Sequence, residues 1–467
     1  MKVESYSFSL YYLRPFVFSF FLEALMFKLL FIIVISLLST LNYAQEITAS
    51  PIGFESPEHI TIGENIFLQF SPDTAKTNKF LFTLPNGVIL TYAEIMTLGG
   101  DFYGVVEKPI ALGQFPDDRK KRFENAYATL AIDPNALLEV PKILADIKLE
   151  MLQVQEGIDK GENPRDIYAR IATDHTVEWN CITGGFCASD SPGLPKDAIH
   201  KIFFLKQGRY LKLSDTDYDH FEEFAWMSYT AGHSVALAKA IEAHNENDIK
   251  KLEEAYAMNA FACHYLSDLF SSGHMRTPHY LLSSLVFPST LGSILTNYMH
   301  NEDNQSGLLV TNHRGDKWKA YGDTCYLDAR NQVNRDLLQQ ALQTSADEVF
   351  AVYTDGKNPT SDKVFPFVPD LELLTRSSEY INTSPLFFWD KQHKQLMRRT
   401  HINDMTNFER TPVWVGWETL LELVAIKGLP QGVQAQLLSH DDTRAYALQL
   451  GLISDKELLN FYLQFKK

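Results

Sequence analysis

The chain has few cysteines, and this shortage limits what disulfides or cysteine-based metal sites can contribute. Four cysteines occur in 467 residues. Cys181 and Cys187 flank a short glycine-containing loop, so they can close a small disulfide ring in an oxidising compartment. The same pair has no third and fourth cysteine nearby and is therefore a weak zinc motif. Cys263 and Cys325 can pair or stay free, and both alternatives remain open.

Basic residues are also scarce relative to acidic ones. The sequence has 42 Lys plus Arg against 58 Asp plus Glu, which gives a formal net charge of −16. Broad binding to a phosphate backbone needs a basic surface, so the charge argues against nucleic acid as a partner. The charge does not exclude an enzyme that cleaves a phosphate ester, because bound metal ions can supply local positive charge.

Long apolar runs are missing except near the N-terminus. The run Leu29–Leu38 follows Lys28 and precedes polar residues and Ala44. This order is typical of a secretory signal, and the run is shorter than the ~20 residues that span a membrane. Residues 1–44 therefore predict a signal peptide, with Met26 as an alternative start, and a secreted or periplasmic protein without a membrane span in its mature chain.

Repeats and low-complexity tracts are absent, and the composition is that of a globular protein. Hydrophobic residues make up 45% and charged residues 21%, which excludes a disordered, collagen-like or wholly coiled-coil chain. The length predicts two or three domains. We expect a mainly α fold, with a mixed α/β region at 45–133, a helical domain at 134–350 and a helical C-terminal segment at 363–467. Within the first region, 60–70 and 79–92 are expected to form β-strands.

The fourteen histidines become informative through their positions. Apolar spacing predicts two consecutive helices, from Asp219 to about 244 and from Ile249 to about 270, which form an αα-hairpin. Asp219 and Glu222 have the spacing of a capping box at the start of the first helix. His264 and Asp268 are one turn apart on the second helix, so both project from one face and can bind one divalent ion.

Further ligand candidates lie around this hairpin. His274 follows Asp268 after a Ser-Ser-Gly break and can turn toward a second metal. On the first helix His220 and His233 are alternatives, because 13 residues of straight helix separate them by ~20 Å. His300 with Asp303 or Glu302 is predicted as a further ligand pair, and His175 is predicted to complete a third metal site. His59 is predicted to lie on the surface. His279 is not predicted to be a ligand.

At this point the chain resembles the zinc-dependent phospholipase C superfamily, which includes single-strand-specific zinc nucleases. The residues that carry the resemblance are His264-Tyr265-Leu266-Ser267-Asp268 with His274, and the segment Asp219-His220-Phe221. The resemblance covers roughly 170–325. It implies a mostly helical phospholipase C-like core with two to three zinc ions, with Asp268 bridging two of them. It also favours His220 over His233 as a ligand.

The sequence departs from the family pattern at one ligand. The family's His-x3-Glu pair places Asn304 in the carboxylate position, so Asp303 or Glu302 is expected to substitute for it. The Thr91–Gly104 segment also looks like part of secreted bacterial relatives, and it places Asp101 near the site, where we interpret it as a turn residue.

Three alternative functions remain open, and the resemblance implies the first two. The first is an exported phospholipase C that releases diacylglycerol and a phosphorylated headgroup at a membrane surface, with Asp219 as the residue that orients or deprotonates the attacking water. The second is a zinc nuclease or nucleotidase. The third is a secreted effector or binding protein whose metals are structural. The sequence does not fix the oligomeric state.

Overall fold

The fold is mainly α-helical, as the sequence predicts. The computed structural model describes residues 56–375, 382–429, 433, 436–437 and 441–452. The predicted signal peptide at 1–44 lies outside the described residues. Fifteen α-helices of the described chain are numbered α1–α15 in chain order: Ser56–Gly63, Tyr92–Leu98, Pro116–Ala131, Ala136–Asp159, Pro164–Ile182, Lys196–Ile202, Arg209–Ser214, Glu222–Glu246, Ile249–Asp268, His279–Leu285, Ser289–Ser306, Gln332–Asp355, Leu371–Thr375, Gly416–Lys427 and Asp441–Gln449.

Seven short strands form three separate small sheets, all antiparallel. They are numbered β1–β7: Phe82–Thr83, Ile89–Leu90, Leu308–Thr311, Lys317–Ala320, Phe387–Asp390, Gln395–Arg399 and Arg410–Thr411. β1 pairs with β2, β3 pairs with β4, and β5, β6 and β7 form one three-stranded sheet. The inward-facing strand residues, such as Phe82, Leu308 and Phe387, join the core that the helices form.

The predicted αα-hairpin is confirmed and forms the centre of the fold. α8 ends at Asn247, which adopts a left-handed conformation with φ 51°, and the Asp248 side chain caps α9 by accepting from the Lys250 amide. α9 packs against α8, α2 and α12. It is buried on every side from Ala255 to Asp268, which is typical of a helix in the core of a large domain.

The predicted capping box of α8 is wrong. α8 begins after Phe221, whose side chain makes no capping hydrogen bond, and Asp219 lies in a preceding 3-10 turn. The Asp219 carboxylate instead accepts hydrogen bonds from the Ile110 and Ala111 amides, at 2.6 and 2.7 Å. Two amides of a distant loop therefore replace the helix amides as its partners.

The N-terminal region agrees with the sequence in one part and differs in another. Residues 79–92 contain strands, as predicted, because β1 and β2 pair around a turn at Gly87. Residues 60–70 were expected to be a strand, but α1 covers Ser56–Gly63. α1 is buried against α2, and Gly63 allows the close approach because a Cβ there would lie 2.6 Å from the Ala93 Cα.

The C-terminal part contains, besides its helices, the three-stranded sheet that the sequence did not predict. Glu302 fixes this part to α11, because Arg399 on β6 and Lys427 on α14 both bind its carboxylate. Arg276, between α9 and α10, binds Asp303 through two hydrogen bonds and also donates to the Thr383 carbonyl.

Among the described residues, no helix is both long and apolar enough to cross a bilayer.

Candidate metal centre

Three groups of buried histidine and aspartate side chains meet around the C-terminal end of α9. Each group offers three ligand atoms within 4.8 Å of one another, and each can hold a metal ion. The groups consist of His59, His264 and Asp268; of Asp101, His220 and His264; and of His274, His300 and Asp323. His264 belongs to the first two groups, so these two sites are joined directly.

The first group combines α1 with α9. His59 is fully buried, although the sequence predicted it to lie on the surface. Its ring stacks on His264 with centroids 4.3 Å apart, and its Nε2 lies 3.7 Å from Asp268 Oδ1. His59 Nδ1 contacts Ser267 Oγ at 3.1 Å, which orients the ring. The correction follows from the helix α1, which places His59 against the core.

The second group combines the α2–α3 loop, the turn before α8, and α9. His220 Nδ1 lies 2.8 Å from Asp268 Oδ2 and 3.2 Å from His264 Nε2. Asp101 Oδ1 lies 3.6 Å from His264 Nε2. Gly100 adopts φ +77°, and a Cβ at this position would lie 2.5 Å from the His264 ring. A glycine is therefore required where the loop passes the histidines.

The third group combines the loop after α9, helix α11 and the segment after β4. His300 Nε2 lies 2.7 Å and His274 Nε2 lies 3.6 Å from Asp323 Oδ2. Ser271 and Asn304 also donate to the Asp323 carboxylate, at 2.7 and 2.9 Å. Asn304, which occupies the carboxylate position expected from the resemblance, thus supports Asp323 as the carboxylate of this group.

Backbone carbonyls fix the orientation of two imidazole rings. His264 Nδ1 lies 3.0 Å from the Met96 carbonyl, and His274 Nδ1 lies 2.8 Å from the His220 carbonyl. Because a carbonyl can only accept, Nδ1 donates in both cases, and in the neutral ring Nε2 keeps its lone pair. Both Nε2 atoms face carboxylates of the groups. Metal-binding histidines are commonly oriented in this way.

Several buried polar atoms of the three groups have no hydrogen-bond partner among the described residues. Among the described residues, neither Asp268 oxygen nor His274 Nε2 has a partner with hydrogen-bond geometry. Buried polar atoms without partners are rare and commonly mark a bound ion or water. In a tetrahedral zinc site with ligands at about 2.0–2.1 Å, neighbouring ligand atoms lie about 3.3 Å apart. The distances of 2.8–3.7 Å within the first group and between it and His220 fit such a site.

The electrostatics also favour a bound cation. Burial lowers the pKa of His220 to about 3 and lowers the pKa of His264 and His59 well below the usual value. These rings are therefore neutral at pH 7, the form that binds metal. Burial also raises the pKa of Asp268. A nearby cation would reverse this last effect by stabilising the carboxylate.

The pKa of Asp323 is shifted in the opposite direction from that of Asp268. Burial acts to raise the pKa of Asp323, but His300 and His274 outweigh it and hold this pKa below the usual range. The Asp323 carboxylate is therefore ionised beside the two histidines.

Two predicted ligands lie in other hydrogen-bonded clusters. His175 Nδ1 pairs with Asp146 at 2.9 Å. His233 Nε2 contacts Glu348 at 3.2 Å, and its Nδ1 contacts Asn259 at 3.0 Å. Neither histidine is part of the three groups. Of the alternatives His220 and His233, the structure places His220 among the grouped residues, as the resemblance favours.

Asp303, Glu302 and Asp219 also lie outside the three groups. The carboxylates of Asp303 and Glu302 form ion pairs with Arg276 and Arg399, respectively. The Asp219 carboxylate accepts two amide hydrogen bonds and one from Ser228 Oγ at 2.9 Å, and burial raises its pKa to about 6. Its three partners fix the loop that carries Ile110 and Ala111.

His264, Asp268, His274, His300 and His220 were predicted as ligands and are brought together here. Sequence reasoning missed His59 and Asp323 and interpreted Asp101 as a turn residue. His59 and Asp323 lie far along the chain from the hairpin, and neither has a local spacing signal. Asp101 had one signal, the Gly99-Gly100 pair before it.

A cleft of about 480 Å³ lies beside the third group. Met275 and Arg276, which directly follow His274, line it, and the Glu222 amide donates to the His274 carbonyl at 2.8 Å. The apolar part of the wall comes from α10, the start of α8 and β5: Phe224, Tyr280, Leu281, Phe387, Phe388 and Trp389. Glu222, Glu223 and Glu372 also line the cleft, and burial raises the pKa of Glu222 to about 7.

The single predicted disulfide is present, and the other two cysteines are unpaired. Cys181 and Cys187 are bonded, whereas Cys263 and Cys325 are buried and free.

Comparisons with sequence models of known families, with curated proteins and with solved structures gave no match.

Proposed function

We propose that the protein is an exported zinc-dependent phospholipase C. It would hydrolyse the glycerol-side phosphodiester of phospholipids to diacylglycerol and a phosphorylated headgroup. The observation that carries this proposal is the meeting of three buried His/Asp groups at one point, beside a largely apolar cleft. The resemblance of the His264–His274 segment to the zinc-dependent phospholipase C superfamily adds support.

Zinc is the metal that this donor set favours. The groups offer only imidazole nitrogens and carboxylate oxygens, and both suit zinc at tetrahedral sites. His59, His264 and Asp268 would hold one ion; Asp101 and His220, with His264, a second; His274, His300 and Asp323 a third. When bound, such ions neutralise the phosphodiester and lower the pKa of water toward ~7.

Residues of the protein would orient the phospholipid and exclude other substrates. The aromatic and aliphatic side chains around the 480 Å³ cleft can cover an apolar part of the substrate. Glu222, Glu223 and Glu372 line the same cleft together with Arg276 and Lys391, and Lys391 lies 4.0 Å from Glu223. The cleft therefore lacks the strongly basic wall that a nucleic acid strand needs.

An exported protein fits the remaining features. Residues 1–44 have the pattern of a secretory signal, and the Cys181–Cys187 bond is typical of an oxidising compartment. We propose a secreted or periplasmic protein that acts at a membrane surface, where it degrades lipids, in the manner of a bacterial effector.

The test is an assay of the purified mature chain on phosphatidylcholine, phosphatidylglycerol and single-stranded DNA, with and without a chelator. Zinc-dependent release of phosphorylated headgroup would support the proposal. Release of nucleotides would support the nuclease alternative. No product from any substrate, with zinc bound to the protein, would contradict both and favour structural metals.

A further inference from the structure

Asp217 and His279 form a buried pair beside the metal centre that is not part of the three groups. His279 begins α10 and is fully buried, and Asp217 is 9% exposed. Asp217 Oδ1 lies 3.6 Å from His279 Nδ1, which is too long for a direct hydrogen bond. The rings of Tyr218 and Phe221 pack edge-on against His279, with centroids 4.9 and 5.0 Å away, and fix its position.

The pair has polar atoms that nothing else in the described chain uses. Neither ring nitrogen of His279 nor Asp217 Oδ1 has a hydrogen-bond partner within the described ranges. An imidazole and a carboxylate oxygen buried without partners are costly, and in native proteins they commonly mark bound solvent or a catalytic role.

A small cleft lies between Asp217 and the metal centre. It has a volume of about 30 Å³, and Asp217, His220, Gly100 and Tyr265 are among its lining residues. This volume is sufficient for a water molecule, and the site offers the polar partners that a buried water needs.

Asp219, the base expected from the sequence, lines the same cleft but is occupied. Its oxygens accept from the Ile110 and Ala111 amides and from Ser228. Asp217, two residues earlier, keeps one oxygen free for solvent.

We propose that Asp217 is the base that orients and deprotonates the attacking water, and that His279 positions the Asp217 carboxylate. This inference rests on the proposed phosphodiesterase function. In the step, one water proton passes to Asp217 Oδ1 while the water oxygen bonds to phosphorus. The bond from phosphorus to the leaving oxygen breaks, the electron pair stays with that oxygen, and solvent protonates it. Asp217 then returns its proton to solvent.

The test compares Asp217→Asn, Asp217→Glu, His279→Gln and the double variant with the native chain on bis(4-nitrophenyl) phosphate. Asp217→Asn should lower kcat by about 100-fold or more, with KM and zinc content unchanged. Asp217→Glu should restore part of kcat. His279→Gln should have a smaller effect, and the double variant should be no slower than Asp217→Asn, because His279 acts through Asp217.

Asp215→Asn is the matched control, because Asp215 lies two residues away and binds Gln207 and Gln436. It should keep its zinc and lower kcat far less than Asp217→Asn, because Asp215 does not line the small cleft. A crystal structure of the native chain supplies a second readout that does not depend on activity. It should show solvent in contact with both Asp217 Oδ1 and His279 Nδ1, and their direct contact without solvent would contradict the proposal.

Three outcomes would overturn the inference. A native kcat in Asp217→Asn would remove the role of Asp217. Loss of zinc in this variant would make Asp217 a metal ligand. A zinc-loaded native chain that cleaves neither bis(4-nitrophenyl) phosphate nor phospholipid would overturn the proposed function as well. Cleavage of the nitrophenyl ester alone would contradict only the lipid substrate.

Discussion

Two buried polar clusters lie along the same helical hairpin, and they differ in how far their hydrogen bonds are satisfied. In the first, both ring nitrogens of His233 have partners, and Asn259 also contacts Tyr92 and Ser345. In the second, around His264, the Asp268 oxygens and His274 Nε2 have no hydrogen-bond partner among the described residues. A histidine whose ring nitrogens are satisfied by neighbouring side chains stabilises the fold, whereas a cluster that directs several lone pairs at a common point can hold a cation.

Helix α11 shows the same contrast over five residues. His300 and Asn304 face the third group, where they contact Asp323. Glu302 and Asp303 bind arginines instead and hold the C-terminal part against the core. Residues adjacent in sequence thus have different tasks, which are decided by the side chains that other elements bring to them.

Asp268→Asn should give the largest effect. Asp268 contacts His59, His220 and His264, so the change would remove a negatively charged ligand between two sites. We expect zinc bound per chain to fall and hydrolysis to drop to the level of chelator-treated native protein. Zinc measured by mass spectrometry together with the phosphodiesterase assay checks this. Full zinc content in the variant would show that Asp268 is not a ligand.

Asn304→Ala should have an intermediate effect. The Asn304 amide donates to Asp323 and so orients a carboxylate of the third group. Loss of such a supporting hydrogen bond typically weakens metal binding about 10–100-fold. Competition with a chromogenic chelator measures the affinity, and only the zinc ion of the third group should respond. An unchanged affinity would contradict the assignment of Asp323 as a ligand.

His233→Ala should have the smallest effect on the metals and serves as the matched control. It leaves Glu348 and Asn259 with unsatisfied groups, so the free energy of unfolding should fall by about 1–3 kcal/mol. Urea unfolding measures this change, and the zinc content should equal that of the native chain. Loss of zinc in this variant would contradict the distinction between a structural cluster at His233 and a metal-binding cluster at His264.

The sequence predicted the part of the site that depends on local spacing. His264, Asp268 and His274 lie within eleven residues, and the period of a helix is sufficient to place the first two on one face. His59 and Asp323 come from elements that only tertiary packing brings to α9, so their positions carry no local signal. The capping box predicted at Asp219 is wrong for a similar reason. Sequence spacing cannot show that the distant amides of Ile110 and Ala111 donate to the Asp219 carboxylate.

The fold could be predicted to a comparable extent. The hairpin of α8 and α9 follows from apolar periodicity and a clear turn, and both helices are found near the expected bounds. The sheet of β5–β7 was missed because its strands are short and amphipathic, and its position depends on the buried Arg399–Glu302 pair.

The most direct test of the central claim is the zinc content of the native chain compared with His264→Gln and His233→Ala after equal dialysis against zinc-containing buffer. The account predicts two to three zinc ions per native chain, the same number in His233→Ala, and a clear loss in His264→Gln, because His264 belongs to two groups. A native chain that binds no zinc, or equal losses in both variants, would contradict it.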